Sequence, residues 1–322
     1  MLSDIRSVHF VGICGTAMAS AAAAMQERGF RVTGSDANVY PPMSTFLAER
    51  KVEVISGYDE KNLAAKPDLV VIGNAMSRGN AEVEAVLDRK LRYCSLPELL
   101  KEFFIRGKRS LVVSGTHGKT TTTSLLTWVF ECAGLNPSYL IGGIPTNLGQ
   151  GARFTDSEWF IIEGDEYDTA FFDKRSKFIQ YLPHVLALNN CEFDHADIFR
   201  DLDDVLRTFS HVIRLIPRNG LLLGNGDDPN LAPLLNVTHC PVKRFGLGES
   251  NAVRAFNLQL GATASAFEIP SCRFQVNLVG ELNVRNALAV VGAAKHCGIS
   301  NKQIQTAFDT FKSCLLYTSP SP

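Results

Sequence analysis

The stretch Leu111-Val112-Val113-Ser114-Gly115-Thr116-His117-Gly118-Lys119-Thr120-Thr121, running on through Leu125-Leu126-Thr127-Trp128-Val129-Phe130, decides the fold. Its β-rich opening reads as a strand, its two glycines as a tight turn, and its last part as a helix. A strand that ends in a glycine turn and feeds a helix aims backbone N–H groups and the positive end of the helix dipole at one spot, which is what a phosphate needs. Lys119 adds a point charge for the β- and γ-phosphates, and the Thr120 hydroxyl suits Mg²⁺. The usual eight-residue pattern has glycine where this chain has Val113, so the match is the shorter G-x-x-G-K-T form. Gly115, Thr116, His117, Gly118, Lys119, Thr120 and Thr121 are the candidate ATP-binding residues.

Magnesium needs further oxygen or imidazole ligands, and side chains at neighbouring strand ends are placed to supply them. The strand pattern Trp159-Phe160-Ile161-Ile162 ends at Glu163-Gly164-Asp165-Glu166. The next, Val185-Leu186-Ala187-Leu188, ends at Asn189-Asn190 and leads to His195. Thr120, Glu163 and His195 are the candidate metal ligands, and Lys119, Glu163 and His195 the candidate catalytic set. Polar and acidic residues at the carboxyl ends of several strands predict an α/β chain, a doubly wound parallel sheet with its site on that edge.

Upstream, Ser7 to Val11, the turn Gly12-Ile13-Cys14-Gly15, an alanine-rich run to Met25 and Phe30 to Gly34 predict a second βαβ unit, Rossmann-like. The turn lacks the full G-x-G-x-x-G, and such turns serve NAD, FAD or nucleoside diphosphates. Asp36 stands where a ribose-binding acid sits. A further strand is expected at Leu69 to Ile72, a helix over Ala81 to Lys90, and an amphipathic stretch from Leu99 to Ile105. The charged break Arg106-Gly107-Lys108-Arg109 marks the boundary between a first domain, 1–106, and a second, 107–312. From Ser313 the sequence breaks the preceding helical pattern, and 313–322 reads as a non-native tail.

The chain has 322 residues, 45% hydrophobic and 20% charged, with a formal net charge of -1. That balance offers no general positive field for nucleic acid or anionic membrane. Eight cysteines without a C-x-x-C pair argue against a zinc ribbon or a thioredoxin-like motif. Without a signal peptide pattern or an apolar run of about 20 residues, the expected setting is a reducing cytoplasm.

Taken in order, Gly12-Ile13-Cys14-Gly15-Thr16-Ala17-Met18, Gly34-Ser35-Asp36, Ser114 to Thr121, Glu163-Gly164-Asp165-Glu166-Tyr167-Asp168, Asn190 to Asp197 and Gly280-Glu281-Leu282-Asn283-Val284-Arg285-Asn286-Ala287 resemble the Mur ligases of bacterial cell-wall synthesis. The resemblance covers residues 7 to 312. Ser35 to Thr45, Gly73 to Asn80 and Ala170 to Phe178 resemble the recycling branch of that family, which joins UDP-N-acetylmuramate to the tripeptide L-alanyl-γ-D-glutamyl-meso-diaminopimelate. The branch that adds a single L-alanine is the alternative.

The resemblance implies ATP and Mg²⁺ as cofactors, with UDP-N-acetylmuramate and murein tripeptide as partners. It implies a UDP-sugar site at Gly12, Cys14, Gly15, Thr16, Ser35, Asp36 and Ser77, and places Asn283 and Asn286 near the ATP base. It further implies a third, Rossmann-like domain beginning after residue 312. Leu282 departs from the family, standing where a histidine is usual. Some relatives carry a carbamylated lysine about one helix after the Asp-His motif, and Phe209 to Arg214 contains no lysine. Two readings from other classes compete: a nucleotide-binding module without catalysis, and an NAD-linked oxidoreductase built on the first glycine turn.

Overall fold

A computed structural model describes residues 4–193 and 199–313. The chain forms two compact units: residues up to Arg106 together with Tyr167–Gln180, and Gly107–Glu166 together with the residues from Tyr181 onward.

The first unit is a five-stranded parallel sheet of β1 (Ser7–Val11), β2 (Arg31–Asp36), β3 (Glu53–Ser56), β4 (Leu69–Ile72) and β5 (Tyr93–Ser95), in the order β3-β2-β1-β4-β5. Helices α1 (Thr16–Glu27) and α2 (Met43–Glu49) connect the first three strands, a 3-10 turn at Glu60–Leu63 leads to β4, and α3 (Ala81–Asp88) leads from β4 to β5. Every residue of β4 is buried, as expected of a strand covered on both faces. The alanines of α1 are buried too, their small side chains letting the helix lie close to its neighbours. Asn80 caps α3 by accepting from the Glu82 and Val83 amides.

The expected amphipathic stretch 99–105 is two pieces. A short helix, α4 (Leu96–Leu100), is held by a capping box between Ser95 and Glu98, and one π-helical turn, Lys101–Ile105, follows it. The excursion 167–180 belongs to this unit and carries a hairpin of β10 (Asp168–Ala170) and β11 (Asp173–Ser176). Phe171 and Phe172 at its tip pack on the core around Val11, Val70, Ile72 and Val83, Phe172 meeting Tyr93 edge-on at 5.0 Å.

The second unit has an eight-stranded sheet: β6 (Arg109–Ser114), β7 (Ser138–Leu140), β8 (Ala152–Arg153), β9 (Trp159–Glu163), β12 (Pro183–Leu188), β13 (Leu221–Asn225), β14 (Val242–Gly246) and β15 (Val253–Arg254). Their order is β15-β14-β13-β12-β6-β9-β7-β8, parallel except for the β7–β8 pair. A three-stranded antiparallel sheet, β16 (Phe256–Leu260), β17 (Ser265–Ile269) and β18 (Cys272–Val276), follows in the chain, a feature the sequence reading lacked. Helix α5 (Lys119–Cys132) runs from the end of β6, and α7 (Glu281–His296) and α8 (Asn301–Thr310) pack on it. Helix α6 (Leu202–Ile213) connects β12 to β13. Leu125, Leu126, Val129 and Phe130 of α5 meet Leu111 and Val113 of the sheet and Val284 and Leu288 of α7 in one core. Of the expected tail, residues 314–322 lie outside the described residues. Among the described residues no helix is long and apolar enough to cross a membrane.

Candidate active site

Because β6 lies between β9 and β12, three parallel strands deliver Ser114, Glu163 and Leu188 to one edge of the sheet, and the glycine loop leaves from the middle one. Gly118 caps α5 at φ 77°, and a Cβ there would stand 2.6 Å from Asn286 Oδ1. Both the backbone conformation and the close approach exclude a side chain. The first-turn N–H groups of α5 have no partner within the helix.

Lys119 does not project into open space. Its Nζ donates to the Gly115 carbonyl at 2.8 Å, the Thr116 carbonyl at 3.2 Å and Glu166 Oε1 at 2.9 Å. Glu166 is 5% exposed, so this is a nearly buried ion pair. The sequence reading overlooked Glu166. It sits three residues after a better-placed acid, in a turn that looks solvated.

The next helical residue carries the second contact. Thr120 Oγ1 donates to Glu163 Oε1 at 2.9 Å, and Glu163 Oε2 accepts the Gly142 amide at 2.9 Å. Burial pushes the Glu163 carboxyl above the ordinary glutamate range, and the Gly142 amide, the Thr120 hydroxyl and the Lys119 charge only partly oppose it. A hydroxyl beside a half-buried carboxylate is an oxygen donor set of the kind Mg²⁺ takes, and a cation there would offset that desolvation. The residues present therefore fit a magnesium ion. Among the described residues no three His, Cys, Asp or Glu side chains gather to hold a metal. His195, the third expected ligand, lies outside the described residues.

The far side of the loop is fastened to the end of β12. Asn190 Oδ1 accepts the His117 amide at 2.7 Å and its Nδ2 donates to the His117 carbonyl at 3.1 Å. Thr116 Oγ1 accepts the Glu192 amide at 2.9 Å, while the exposed His117 ring lies 3.5 Å from the Glu192 carboxylate. Asn286 is buried, accepting from Asn189 at 3.3 Å and donating to Asn283 Oδ1 at 3.1 Å. These residues flank a cavity of about 320 Å³ lined by Asn189, Asn225, Asp227, Leu282, Arg285 and Asn286 among others. Leu282 is 51% exposed and faces this cavity, so it places an apolar surface there. Thr121 follows Thr120 in the first turn of α5 and is partly buried.

In the first unit the turn after β1 is organised from below. Gly12, at φ 86°, and Ile13 both donate to the Ser35 carbonyl, at 2.8 and 3.1 Å. Asp36 accepts the Cys14 amide and the Asn38 amide, each at 2.9 Å. Ser35 is fully buried, with its hydroxyl given to Glu82, so it shapes the turn and presents no group outward. Glu82, fully buried in α3, also meets His9 Nε2 at 3.2 Å, and His9 Nδ1 meets Thr33 Oγ1 at 2.7 Å. The outward groups are Gly15 and Thr16, with Ser77 on the turn after β4. Burial and the Asp36 charge push the Cys14 thiol up from its ordinary value, away from the thiolate form.

Comparison with known proteins accords with this geometry. The family profile described as Mur ligase middle domain matches residues 113–294, and that described as Mur ligase family, catalytic domain matches residues 7–108. The chain is 46% identical to the UDP-N-acetylmuramate–L-alanyl-gamma-D-glutamyl-meso-2,6-diaminoheptandioate ligase of Haemophilus influenzae, across 95% of this chain and 68% of the relative. Against the Escherichia coli protein of the same description the figures are 44%, 94% and 67%. The crystal structure of a UDP-N-acetylmuramate:L-alanyl-gamma-D-glutamyl-meso-diaminopimelate ligase from Neisseria meningitides superposes with a TM-score of 0.88 at 42% identity, covering 96% of this chain and 99% of that one.

Proposed function

The chain belongs to the Mur ligase family, and on that premise we propose that it is the ATP-dependent ligase joining UDP-N-acetylmuramate to L-alanyl-γ-D-glutamyl-meso-diaminopimelate in peptidoglycan recycling. The observation that carries this reading is the meeting of Lys119, Thr120 and Glu163 at the ends of adjacent parallel strands. A module that only binds nucleotide leaves the placement of the Glu163 carboxylate beside the loop hydroxyl unexplained, and a nicotinamide enzyme has no use for Lys119.

In the proposed reaction the loop amides and the α5 N-terminus hold the ATP phosphates, and Lys119 faces charge developing on the γ-phosphoryl group. The muramyl carboxylate attacks that group in line, giving an acyl phosphate and ADP. The amine of the tripeptide then displaces phosphate through a tetrahedral intermediate. Thr120 and Glu163, with His195 as the third ligand the resemblance implies, would hold a magnesium ion, which would supply charge neutralisation on the phosphates. The remainder of the work is positioning: Asn190 fixes the loop, Asn283 and Asn286 border the base side, and the Gly12 to Thr16 turn with Ser77 takes the UDP moiety. Seven described cysteines are free, which suits a reducing cytoplasm.

The test is product formation by the complete reading frame with ATP, Mg²⁺ and UDP-N-acetylmuramate, offering the tripeptide or L-alanine as acceptor. Ligation of the tripeptide is expected. Preference for L-alanine would assign the chain to the sister activity, and ADP binding indifferent to magnesium with no ligation would reduce it to a binding module.

A further inference from the structure

We propose that the second unit carries an anion-binding cavity at the amino edge of its large sheet, on Lys243, Ser271 and Lys295, which takes a phosphate monoester with a small apolar body. The loop after β6 leaves from the opposite, carboxyl edge, so this inference is independent of the reading given to that loop.

Lys243 is the second residue of β14, Lys295 stands in the last turn of α7, and Ser271 lies in the turn between β17 and β18. Distant in the chain, the three line one cavity of about 280 Å³, whose walls include Val253, Ile269 and Pro270. Lys295 Nζ donates to Ser271 Oγ at 3.3 Å. Among the described residues no carboxylate forms an ion pair with Lys243 or Lys295. Elsewhere on the same unit Arg254 has Glu249 and Arg285 has Glu281 and Asp227.

The groups behind the cavity add charge of the same sign. His296 follows Lys295, and its ring lies 6.4 Å from that of His184, the second residue of β12. Burial first, and then the charges of Lys243, His184 and Arg109, hold His296 below the ordinary histidine range. Arg109, the first residue of β6, is the member of this group that has an acid, Glu158 at 3.3 Å. A lysine in the last turn of a helix is accounted for by the helix dipole alone. That account does not reach Lys243, which is on a strand, or the cavity that both lysines border.

The donor set selects the ligand. Two ammonium groups beside one cavity repel each other, and an anion between them relieves that repulsion. Lysine acts on phosphate as a point charge, whereas planar, two-pronged recognition of a carboxylate is the province of arginine. The Ser271 hydroxyl is a further donor to a phosphate oxygen. Apolar walls and a volume at the lower end of small-molecule sites leave room for a body of about one ring beside the charged group.

Calorimetric titration of the 322-residue chain with phenyl phosphate, inorganic phosphate and phenol tests this. Phenyl phosphate should bind about 10-fold more tightly than either of the others. The double variant Lys243→Ala, Lys295→Ala should weaken it about 10-fold or more, and Ser271→Asp, which sets a carboxylate beside Lys295, should do the same. Replacing both lysines by arginine should keep most of the affinity. All three side chains belong to exposed residues, so these variants should melt like the wild type. Repeating the titration in Lys119→Ala separates this cavity from the loop after β6, and binding there should persist. Wild-type affinity in the double variant, loss of binding in Lys119→Ala, or phenol binding as well as phenyl phosphate overturns the proposal. Inorganic phosphate binding as tightly as phenyl phosphate overturns the ligand class. If phenyl phosphate does not bind at all, this inference falls and the reading of the loop stands.

Discussion

The turn after β1 and the loop after β6 occupy the same topological place, the carboxyl end of a central strand in a parallel sheet, and both open on a glycine. Their polar groups are used differently. The first turn is shaped from beneath: Ser35, Asp36, Glu82 and His9 hold the backbone and offer no charged side chain outward. The second sets its polar side chains beside the loop, with Lys119 against Glu166 and Thr120 against Glu163. One topology thus carries two differently built turns, for which we propose UDP binding in the first and phosphoryl transfer in the second. They differ in whether the acids lie under the turn or beside it.

The largest effect that sharpens this contrast is Lys119→Ala. ADP release coupled to ligation should fall roughly 10²–10³-fold while circular dichroism and the melting profile stay close to wild type, since the charge acts on a developing transition state. An equal loss of activity from Cys14→Ala would break the contrast, because the first turn would then hold chemistry of its own.

Beneath the first turn the corresponding change is Glu82→Ala. It strips the acceptor from Ser35 and the partner from His9 in a site without solvent, and should cost about 3 kcal/mol in urea denaturation. A loss below about 0.5 kcal/mol would mean that the network is not what holds the turn.

Gly118→Ala comes next. The positive φ and the 2.6 Å approach to Asn286 Oδ1 together predict about 1–2 kcal/mol of destabilisation and weaker ADP binding.

The smallest effect is a dependence on pH. The Glu163 carboxyl in the folded chain is raised above its unfolded value, so the folded state holds the proton more tightly. Stability from this group is therefore greatest at low pH and falls as pH rises from the ordinary glutamate range through the raised value. Glu163→Gln should flatten that leg of the melting-temperature profile and leave the metal-free protein more stable than wild type at neutral pH. Saturating Mg²⁺ should shrink the difference by stabilising the wild type alone.

Much of this was legible from local pattern. Leu69–Ile72 reads as a strand because continuous apolar runs belong to strands buried on both faces, and Gly115 to Thr121 reads as a phosphate loop because strand, glycine and Lys-Thr fall in sequence. Glu163 was visible as the first acid after an apolar run. What escaped is non-local. Glu82 looks like any acid in the first turn of a helix until the fold sets it against Ser35, 47 residues away, and His9, 73 residues away. Asn190 looks like a strand end until its side chain bridges both polar atoms of a single residue in the loop. Ser35 and Asp36 were expected in the turn beyond β2, and the strand extends to include them, which is why Ser35 is sealed in.

The lacing between Asn190 and His117 bears on how quickly the site responds. Thr116 and His117 each give their amide to the 190 position, the one to its carbonyl and the other to its side chain. These amide protons should resist exchange with deuterium even when no nucleotide is present, as if they belonged to a strand. A loop already frozen in its receptive shape loses little freedom on capture, so encounter should proceed in a single kinetic phase whose rate rises linearly with nucleotide concentration.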